Sequence, residues 1–169
     1  MVSKVLVAYG TTNGSTARIA ETIAEVLRKK GLSTEAVPAR AVKNIDSYDA
    51  VVVGGGLYGG RRHKDARRFV RRYGRALARR PLWLFRSGPL DKSATYKDIP
   101  PVSGVRRVMT RLDAREHVTF GGCLEDCAKG FVARNIVSSG KGGDFRDFER
   151  IETWSARVGA ELLSVAHTG

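Results

Sequence analysis

Apolar residues follow two alternating periods along this chain. Five short apolar runs, rich in β-branched residues, predict strands at Lys4–Tyr9, Thr34–Val37, Ala50–Gly54, Pro81–Arg86 and His117–Cys123. Between these runs, apolar residues recur at three- and four-residue steps, which predicts helices over Ala17–Lys30, Lys64–Ala78, Val105–Leu112 and Phe145–Val165. Gly31 is expected to end the first helix. Because strands and helices alternate with short links, we predict an α/β protein built from right-handed β–α–β units around a parallel sheet.

Length and composition predict a single domain. The 169 residues fit one domain over residues 1–169, with irregular insertions at about 87–115 and 125–144. No apolar run approaches the roughly 18 residues of a membrane span, and the first residues lead directly into a strand rather than a signal peptide. Two cysteines, Cys123 and Cys127, are too few for a disulfide framework or a four-ligand zinc site. We therefore expect a cytoplasmic protein without a bound metal.

The net charge of +13 is concentrated in one segment, because Arg61–Arg80 contains ten basic residues and one acid. Six arginines of this segment share one helix face, opposite the apolar stripe: Arg67, Arg68, Arg71, Arg72, Arg75 and Arg79. One interpretation is a solvated helix face in an arginine-rich chain. The other is a surface for an acidic redox protein or an anionic membrane, which would hold the protein at the membrane periphery. Nucleic acid is disfavoured, because no aromatic residues are interleaved on this face for stacking.

The segment after the first strand has the chemistry of a phosphate site. It comprises Thr11, Thr12, Asn13, Gly14, Ser15 and Thr16, and contains hydroxyls, an amide and a glycine but no cation or carboxylate. A helix follows at once, and the unpaired N–H groups at a helix N-terminus bind phosphate without a cation. The alternative is that Ser15 or Thr16 only caps the helix.

Two further strand ends are unusual in composition. Five glycines fall within residues 54–60, around Leu57 and Tyr58, and Ser87-Gly88-Pro89 follows the fourth strand. Glycines allow the backbone to approach a flat ligand closely, and an aromatic ring can stack on a heterocycle. The alternative is a flexible turn with one buried tyrosine. Although residues 54–59 match the dinucleotide fingerprint G-x-G-x-x-G, they follow the third strand, and no acid lies about twenty residues further on to bind a ribose.

These motifs resemble a known family. The pattern Thr11-x-Asn13-Gly14-x-Thr16 is similar to the flavodoxin phosphate loop, [ST]-x-T-G-x-T, with Asn13 in place of the usual threonine. The resemblance is closer to the branch of menaquinone-dependent protoporphyrinogen oxidases, which share T-x-[ND]-G-x-T, a glycine-rich turn after the third strand with His63 nearby, and Gly-Asp-Phe-Arg-Asp-Phe before the last helix. This resemblance implies a three-layer flavodoxin-like fold with five parallel strands in the order 2-1-3-4-5 and helices on both faces.

The resemblance also implies the cofactor FMN. The residues implied for its phosphate are Thr11, Thr12, Asn13, Gly14, Ser15 and Thr16, and those implied beside the isoalloxazine ring are Gly56, Leu57, Tyr58, Gly59, Ser87, Gly88 and Pro89. Because the flavin itself carries the electrons, no catalytic residue is assigned. The implied function is a flavoprotein oxidoreductase that oxidises protoporphyrinogen or exchanges electrons with a quinone. Three alternatives stay open: an electron carrier without its own substrate, a basic binding module, and a related flavin or deazaflavin in place of FMN.

Overall fold

The computed structural model describes residues 4–10, 15–55, 64–87, 103–120 and 148–165. Five strands in these ranges form one parallel sheet in the order β2-β1-β3-β4-β5. Their bounds are Lys4–Tyr9 (β1), Ser33–Pro38 (β2), Ala50–Gly54 (β3), Leu82–Ser87 (β4) and Glu116–Phe120 (β5). The predicted α/β class, parallel sheet and strand order are confirmed.

Helices cover both faces of the sheet. Within the described ranges they are Ser15–Lys29 (α1), Lys64–Arg72 (α2), Gly74–Ala78 (α3), Ser103–Leu112 (α4) and Phe148–Val165 (α5), with a 3₁₀ turn at Ala39–Ala41. One buried cluster joins α1 and α5 to the sheet, and the second joins α2, α3, α4 and the 3₁₀ turn to the opposite face. Along β1, Val5 and Val7 face the first cluster, whereas Leu6 and Ala8 face the second. This alternation of buried side chains produces the three layers.

Helix α1 ends as its sequence predicts. Gly31 has a φ of +93°, a backbone conformation in which glycine carries no steric penalty. The Gly31 N–H donates to the Arg28 carbonyl at 2.9 Å, and the Leu32 N–H donates to the Leu27 carbonyl at 3.1 Å. These two hydrogen bonds form a Schellman motif, which satisfies the last carbonyls of the helix.

The predicted helix over Lys64–Ala78 is wrong in one respect, because the structure divides it into α2 and α3 at Tyr73. Gly74 begins α3, and the Tyr73 hydroxyl donates to the Val42 carbonyl at 3.1 Å across to the segment after β2. Glycine is a poor helix former, and the tyrosine gains a tertiary hydrogen bond at the interruption. Of the residues whose spacing predicts an inward position, Phe69, Val70 and Leu77 are buried, and Tyr73 is partly buried against the same cluster.

β1 and β3 have the predicted bounds, and the described boundaries of the other predicted elements differ by at most two residues, as is usual at element ends. Residues 121–123 of the predicted fifth strand and residues 145–147 of the predicted last helix lie outside the described residues. In the parts of the chain that the structure describes, no helix is long and apolar enough to cross a membrane.

Candidate functional site at the carboxyl edge of the sheet

Three neighbouring strands bring the three candidate segments to one edge of the sheet. Strands β1, β3 and β4 are adjacent and parallel, so their carboxyl ends lie side by side. Pairing continues past the strand ends, where the Gly10 N–H donates to the Gly54 carbonyl at 2.9 Å and the Gly55 N–H donates to the Phe85 carbonyl at 3.0 Å. The strand order reverses between β1 and β3, because β2 was added on one side of β1 and β3 to β5 on the other, and open α/β sheets bind ligands at such a switch point.

The first turn of α1 provides donors at this edge. The helix begins at Ser15, so Ser15 and Thr16 both lie within it rather than before it. Residues 11–14 lie outside the described residues, so the alternative that Ser15 or Thr16 only caps the helix stays open. The amides of Ser15, Thr16 and Ala17 have no acceptor within the helix. Thr16 is 7% exposed.

The charge of this turn also suits an anion. No acidic residue lies in the first turn of α1, whereas Arg28 and Lys29 lie in the last. The N-terminal end of the helix dipole is therefore not neutralised by a carboxylate of its own first turn. A hydroxyl, amides without an acceptor in the helix and the absence of a carboxylate suit a phosphate monoester, so these described residues fit the phosphate of FMN.

Gly54 and Gly55 have internal packing roles. A Cβ on Gly54 would lie 2.0 Å from Cζ of Phe85, and one on Gly55 would lie 2.9 Å from the Gly10 carbonyl oxygen. Gly55 also has a φ of +127°. These two glycines are thus required by the fold, and the interpretation that they serve a flat ligand is unnecessary for them. The other glycines of the turn, Gly56, Gly59 and Gly60, lie outside the described residues.

Of the remaining predicted site residues, only Ser87 lies among the described residues. Ser87 is the last residue of β4, where it pairs with Phe120 of β5. The others lie outside the described residues: Thr11, Thr12, Asn13, Gly14, Gly56, Leu57, Tyr58, Gly59, Gly88 and Pro89. His63, Cys123 and Cys127 also lie outside them. For these positions the assignments remain predictions.

Tyr9 is a polar side chain at this edge that the sequence interpretation treated only as part of a strand. It is the last residue of β1 and is half-buried against the α1 cluster. Burial, and then the nearby carboxylate of Glu21, raise the pKa of the Tyr9 hydroxyl, while Arg40 opposes them. The phenol therefore stays protonated at neutral pH and can donate a hydrogen bond at this edge of the sheet. A tyrosine that ends an otherwise aliphatic central strand was the available signal.

Comparison with known proteins gives one family and one fold. A family model described as a flavodoxin domain matches residues 6–139. A search of the curated proteins finds no match.

Solved structures share the whole architecture. Rubredoxin oxygen:oxidoreductase from Desulfovibrio gigas matches with a TM-score of 0.62 and 14% identity over 95% of this chain, which spans only 36% of that protein. A point mutant of flavodoxin from Pseudomonas aeruginosa matches with a TM-score of 0.61 and 18% identity, covering 94% of this chain and 98% of that one. Oxidised flavodoxin 2 from Bacillus cereus matches with a TM-score of 0.59 and 18% identity, covering 94% and 99%. At these identities the structures show a common fold, and the family model, which matches most of the length, shows that the chain belongs to the flavodoxin domain family.

Proposed function

We propose that this chain binds FMN at the carboxyl edge of its sheet and transfers electrons through it. The observation that carries the proposal is the start of α1 at Ser15, directly after the hydroxyl-rich segment that follows β1, with Thr16 buried and no carboxylate in the first turn. Membership of the flavodoxin domain family supports the same cofactor.

In this proposal the phosphate of FMN is held by neutral donors. The amides of Ser15 and Thr16 and the hydroxyl of Thr16 contribute from α1, together with Thr11–Gly14 from the preceding segment. Residues 56–59 and Ser87–Pro89 lie beside the ring and orient it. The flavin supplies the one- and two-electron chemistry when bound, and the chain supplies binding, orientation and exclusion of water. Because no lysine or arginine occurs in residues 11–16, the helix amides supply the favourable electrostatics.

A finer proposal is that the flavin accepts electrons from protoporphyrinogen or exchanges them with a quinone. It is supported by the resemblance of three ordered motifs to menaquinone-dependent protoporphyrinogen oxidases: the hydroxyl segment, the glycine-rich turn with His63, and Gly-Asp-Phe-Arg-Asp-Phe. The second candidate is a flavodoxin-type electron carrier without its own substrate. It is supported by the near-complete overlap with two flavodoxins of similar length.

The cofactor proposal is tested by adding FMN to the purified chain, removing free ligand by gel filtration and recording the visible spectrum. We expect flavin bands that survive filtration, and much weaker retention of riboflavin, which lacks the phosphate. A chain that stays colourless with FMN, or that retains riboflavin equally well, would contradict the phosphate site. With the loaded protein, oxidation of protoporphyrinogen in the presence of a menaquinone analogue then separates the oxidase from the carrier.

A further inference from the structure

The two helical layers of this molecule differ sharply in charge. The layer on one face of the sheet, residues 64–80 and 103–112, carries eleven basic residues and one acid. The opposite layer, helices α1 and α5, carries five basic and five acidic residues. Most of the net charge of +13 therefore lies on one side of the sheet.

Nine exposed arginines on α2, α3, α4 and the adjoining residues form what we call the arginine face. They are Arg67, Arg68, Arg71, Arg72, Arg75, Arg79, Arg106, Arg107 and Arg111. Among the described residues, none of these nine side chains forms an ion pair with a carboxylate; the ion pairs found there involve Lys4, Arg115 and Arg157 instead. Arg72 lies over the ring of Tyr73, with Cζ 5.4 Å from the centroid. The nearest described acids are Asp65 on α2 itself and Asp46 and Asp49, which line a surface pocket together with Arg75 and Arg79, so the arginines still outnumber the acids of this face.

The arginines of α2 and α3 are continuous with those of α4. Leu77 of α3 and Leu112 of α4 belong to the same buried cluster. The space beside Gly74 is closed by Leu112, whose Cδ2 would lie 3.7 Å from a Cβ at that glycine. Because the helices pack side by side on one sheet face, their outward arginines present one broad surface rather than two separate stripes.

This surface lacks the features of a specific protein or nucleic-acid interface. The other mostly exposed side chains in the described part of these helices are Lys64, Ala78 and Thr110, whereas the large apolar side chains Tyr73, Val108 and Met109 are only partly exposed and pack against the buried cluster. Specific protein interfaces have an apolar core with aromatic anchors. Binding of single-stranded nucleic acid uses aromatic rings as stacking platforms. Charge without anchors fits a partner that needs no shape complementarity.

We propose that the arginine face binds the surface of an anionic phospholipid membrane. Lipid headgroups move laterally and can gather around each guanidinium, so a broad array of arginines suffices without a pocket. A guanidinium also binds a phosphate with two parallel hydrogen bonds, and ten of the eleven basic residues of this layer are arginines. The attraction acts within a Debye length of about 8 Å at physiological salt, so binding depends on ionic strength.

The proposed orientation leaves the strand ends accessible. Helix α2 connects the carboxyl end of β3 to the amino end of β4, so it runs antiparallel to the strands. With the arginine face on the membrane, the sheet lies parallel to the lipid surface and its carboxyl edge points sideways. The membrane proposal therefore does not depend on the flavin proposal, and each can fail alone.

The test is co-sedimentation of the full chain with vesicles of phosphatidylglycerol and phosphatidylcholine in equal parts, compared with vesicles of phosphatidylcholine alone. We expect binding only to the anionic vesicles and its loss at high salt. The double variant Arg71→Glu with Arg75→Glu should bind at least about a hundredfold more weakly, because each basic residue near an anionic bilayer contributes roughly fivefold in affinity. The matched control, Lys29→Glu with Lys30→Glu, makes the same change in net charge at the opposite layer and should keep most of the binding.

Three results would overturn the proposal. They are equal binding to neutral vesicles, equal losses in the two double variants, and tighter binding to single-stranded DNA or polyglutamate than to anionic vesicles at matched anionic charge. The last would favour nucleic acid or an acidic protein. Thermal unfolding of each variant verifies that it folds. The milder pair Arg71→Gln with Arg75→Gln, expected to weaken binding by about tenfold or more, keeps the test decisive if the glutamate pair does not fold.

Discussion

The ring of Phe85 occupies the space in which a side chain at Gly54 would stand. The two residues pair on the neighbouring strands β3 and β4, and a Cβ on Gly54 would meet Cζ of Phe85 at 2.0 Å. Phe85 is fully buried and also contacts the ring of Phe120, with centroids 6.2 Å apart. The phenylalanine therefore cannot move aside without disturbing the core, and the glycine that ends β3 is a packing requirement.

We expect Gly54→Ala to lower the free energy of unfolding by about 2–3 kcal/mol, because it overpacks this core position. Urea denaturation of the variant measures the loss. The matched control is Gly74→Ala, where the nearest atom, Cδ2 of Leu112, lies 3.7 Å from the added carbon. That change should be neutral or stabilising by about 0.5 kcal/mol, because alanine is the better helix former.

The Gly54–Phe85 contact also predicts a coupling. In the double variant Gly54→Ala with Phe85→Leu, the smaller side chain leaves room for the added methyl group. The combined loss of stability should therefore be smaller than the sum of the two single losses by about 1 kcal/mol or more. If the two single losses of stability simply added, the Phe85 ring would not be the cause of the loss in Gly54→Ala.

The spacing of apolar residues along the sequence predicts most of this fold. Where the predicted elements differ from the structure, tertiary contacts explain the difference. Strands β1 and β3 have the predicted bounds, because their apolar residues are buried on both faces of the sheet and stand out from the polar residues around them. The division between α2 and α3 was missed, because the stripe of Phe69, Val70 and Leu77 continues through it. What interrupts the helix is a glycine combined with the hydrogen bond from Tyr73 to Val42. Val42 is 31 residues away from Tyr73 in sequence, so the local hydrophobic periodicity cannot predict this contact.

The hydrogen bond at this interruption should contribute measurably to stability. The Tyr73 hydroxyl donates to the Val42 carbonyl at 3.1 Å in a partly buried setting. We expect Tyr73→Phe to lower the free energy of unfolding by about 1 kcal/mol. Tyr48→Phe is the control, since its hydroxyl donates to the exposed carboxylate of Glu35 and its loss should cost less, about 0.5 kcal/mol. If the two variants lost equal stability, the partly buried hydrogen bond of Tyr73 would contribute no more than the exposed one of Tyr48.

His117 makes the fold sensitive to acid. Burial, and then the charge of Arg86, lower the pKa of His117 from 6.5 to about 4. Its buried Nδ1 has no hydrogen-bond partner among the described residues. Between pH 6.5 and 4 the unfolded chain binds a proton at this site that the folded chain does not, so stability falls as the pH falls through this window.

We expect His117→Gln to remove this part of the pH dependence. The difference in unfolding free energy between the variant and the parent should be constant above pH 6.5 and shift in favour of the variant by about 1–2 kcal/mol towards pH 4, after allowance for the partial exposure of the ring. Urea midpoints measured across this range provide the comparison. A constant difference down to the acid end would contradict the lowered pKa.

The candidate site was predictable to the extent that its chemistry is local. A run of hydroxyls before a helix indicates a phosphate site from residues that are neighbours in sequence, and the structure places Ser15 and Thr16 inside the first turn of α1. The roles of Gly54 and Gly55 were not predictable, because the atoms that require glycine there, in Phe85 and Gly10, come from other strands. Composition alone could not distinguish a glycine that leaves room for a ligand from a glycine that leaves room for atoms of a neighbouring strand.

The hydroxyl of Thr16 provides the sharpest test of the phosphate site. Valine has nearly the same shape as threonine, so Thr16→Val keeps the buried volume and removes only the hydroxyl. If that hydroxyl donates to the phosphate of FMN, the loss of one charge-assisted hydrogen bond should weaken FMN binding by about tenfold or more. Titration calorimetry with FMN measures this change. Thr22→Val is the control, because its hydroxyl donates to the Arg18 carbonyl at 3.0 Å within the same helix.

Riboflavin separates a phosphate contact from a general effect on the site. Because riboflavin has the ring but no phosphate, its affinity should be nearly the same for the parent, Thr16→Val and Thr22→Val, and the preference for FMN over riboflavin should shrink only in Thr16→Val. If Thr16→Val weakened both ligands equally, the side chain would support the shape of the α1 turn rather than bind the anion. An unchanged preference together with unchanged affinity would exclude the Thr16 hydroxyl from the site and leave the amides of the first turn as its donors.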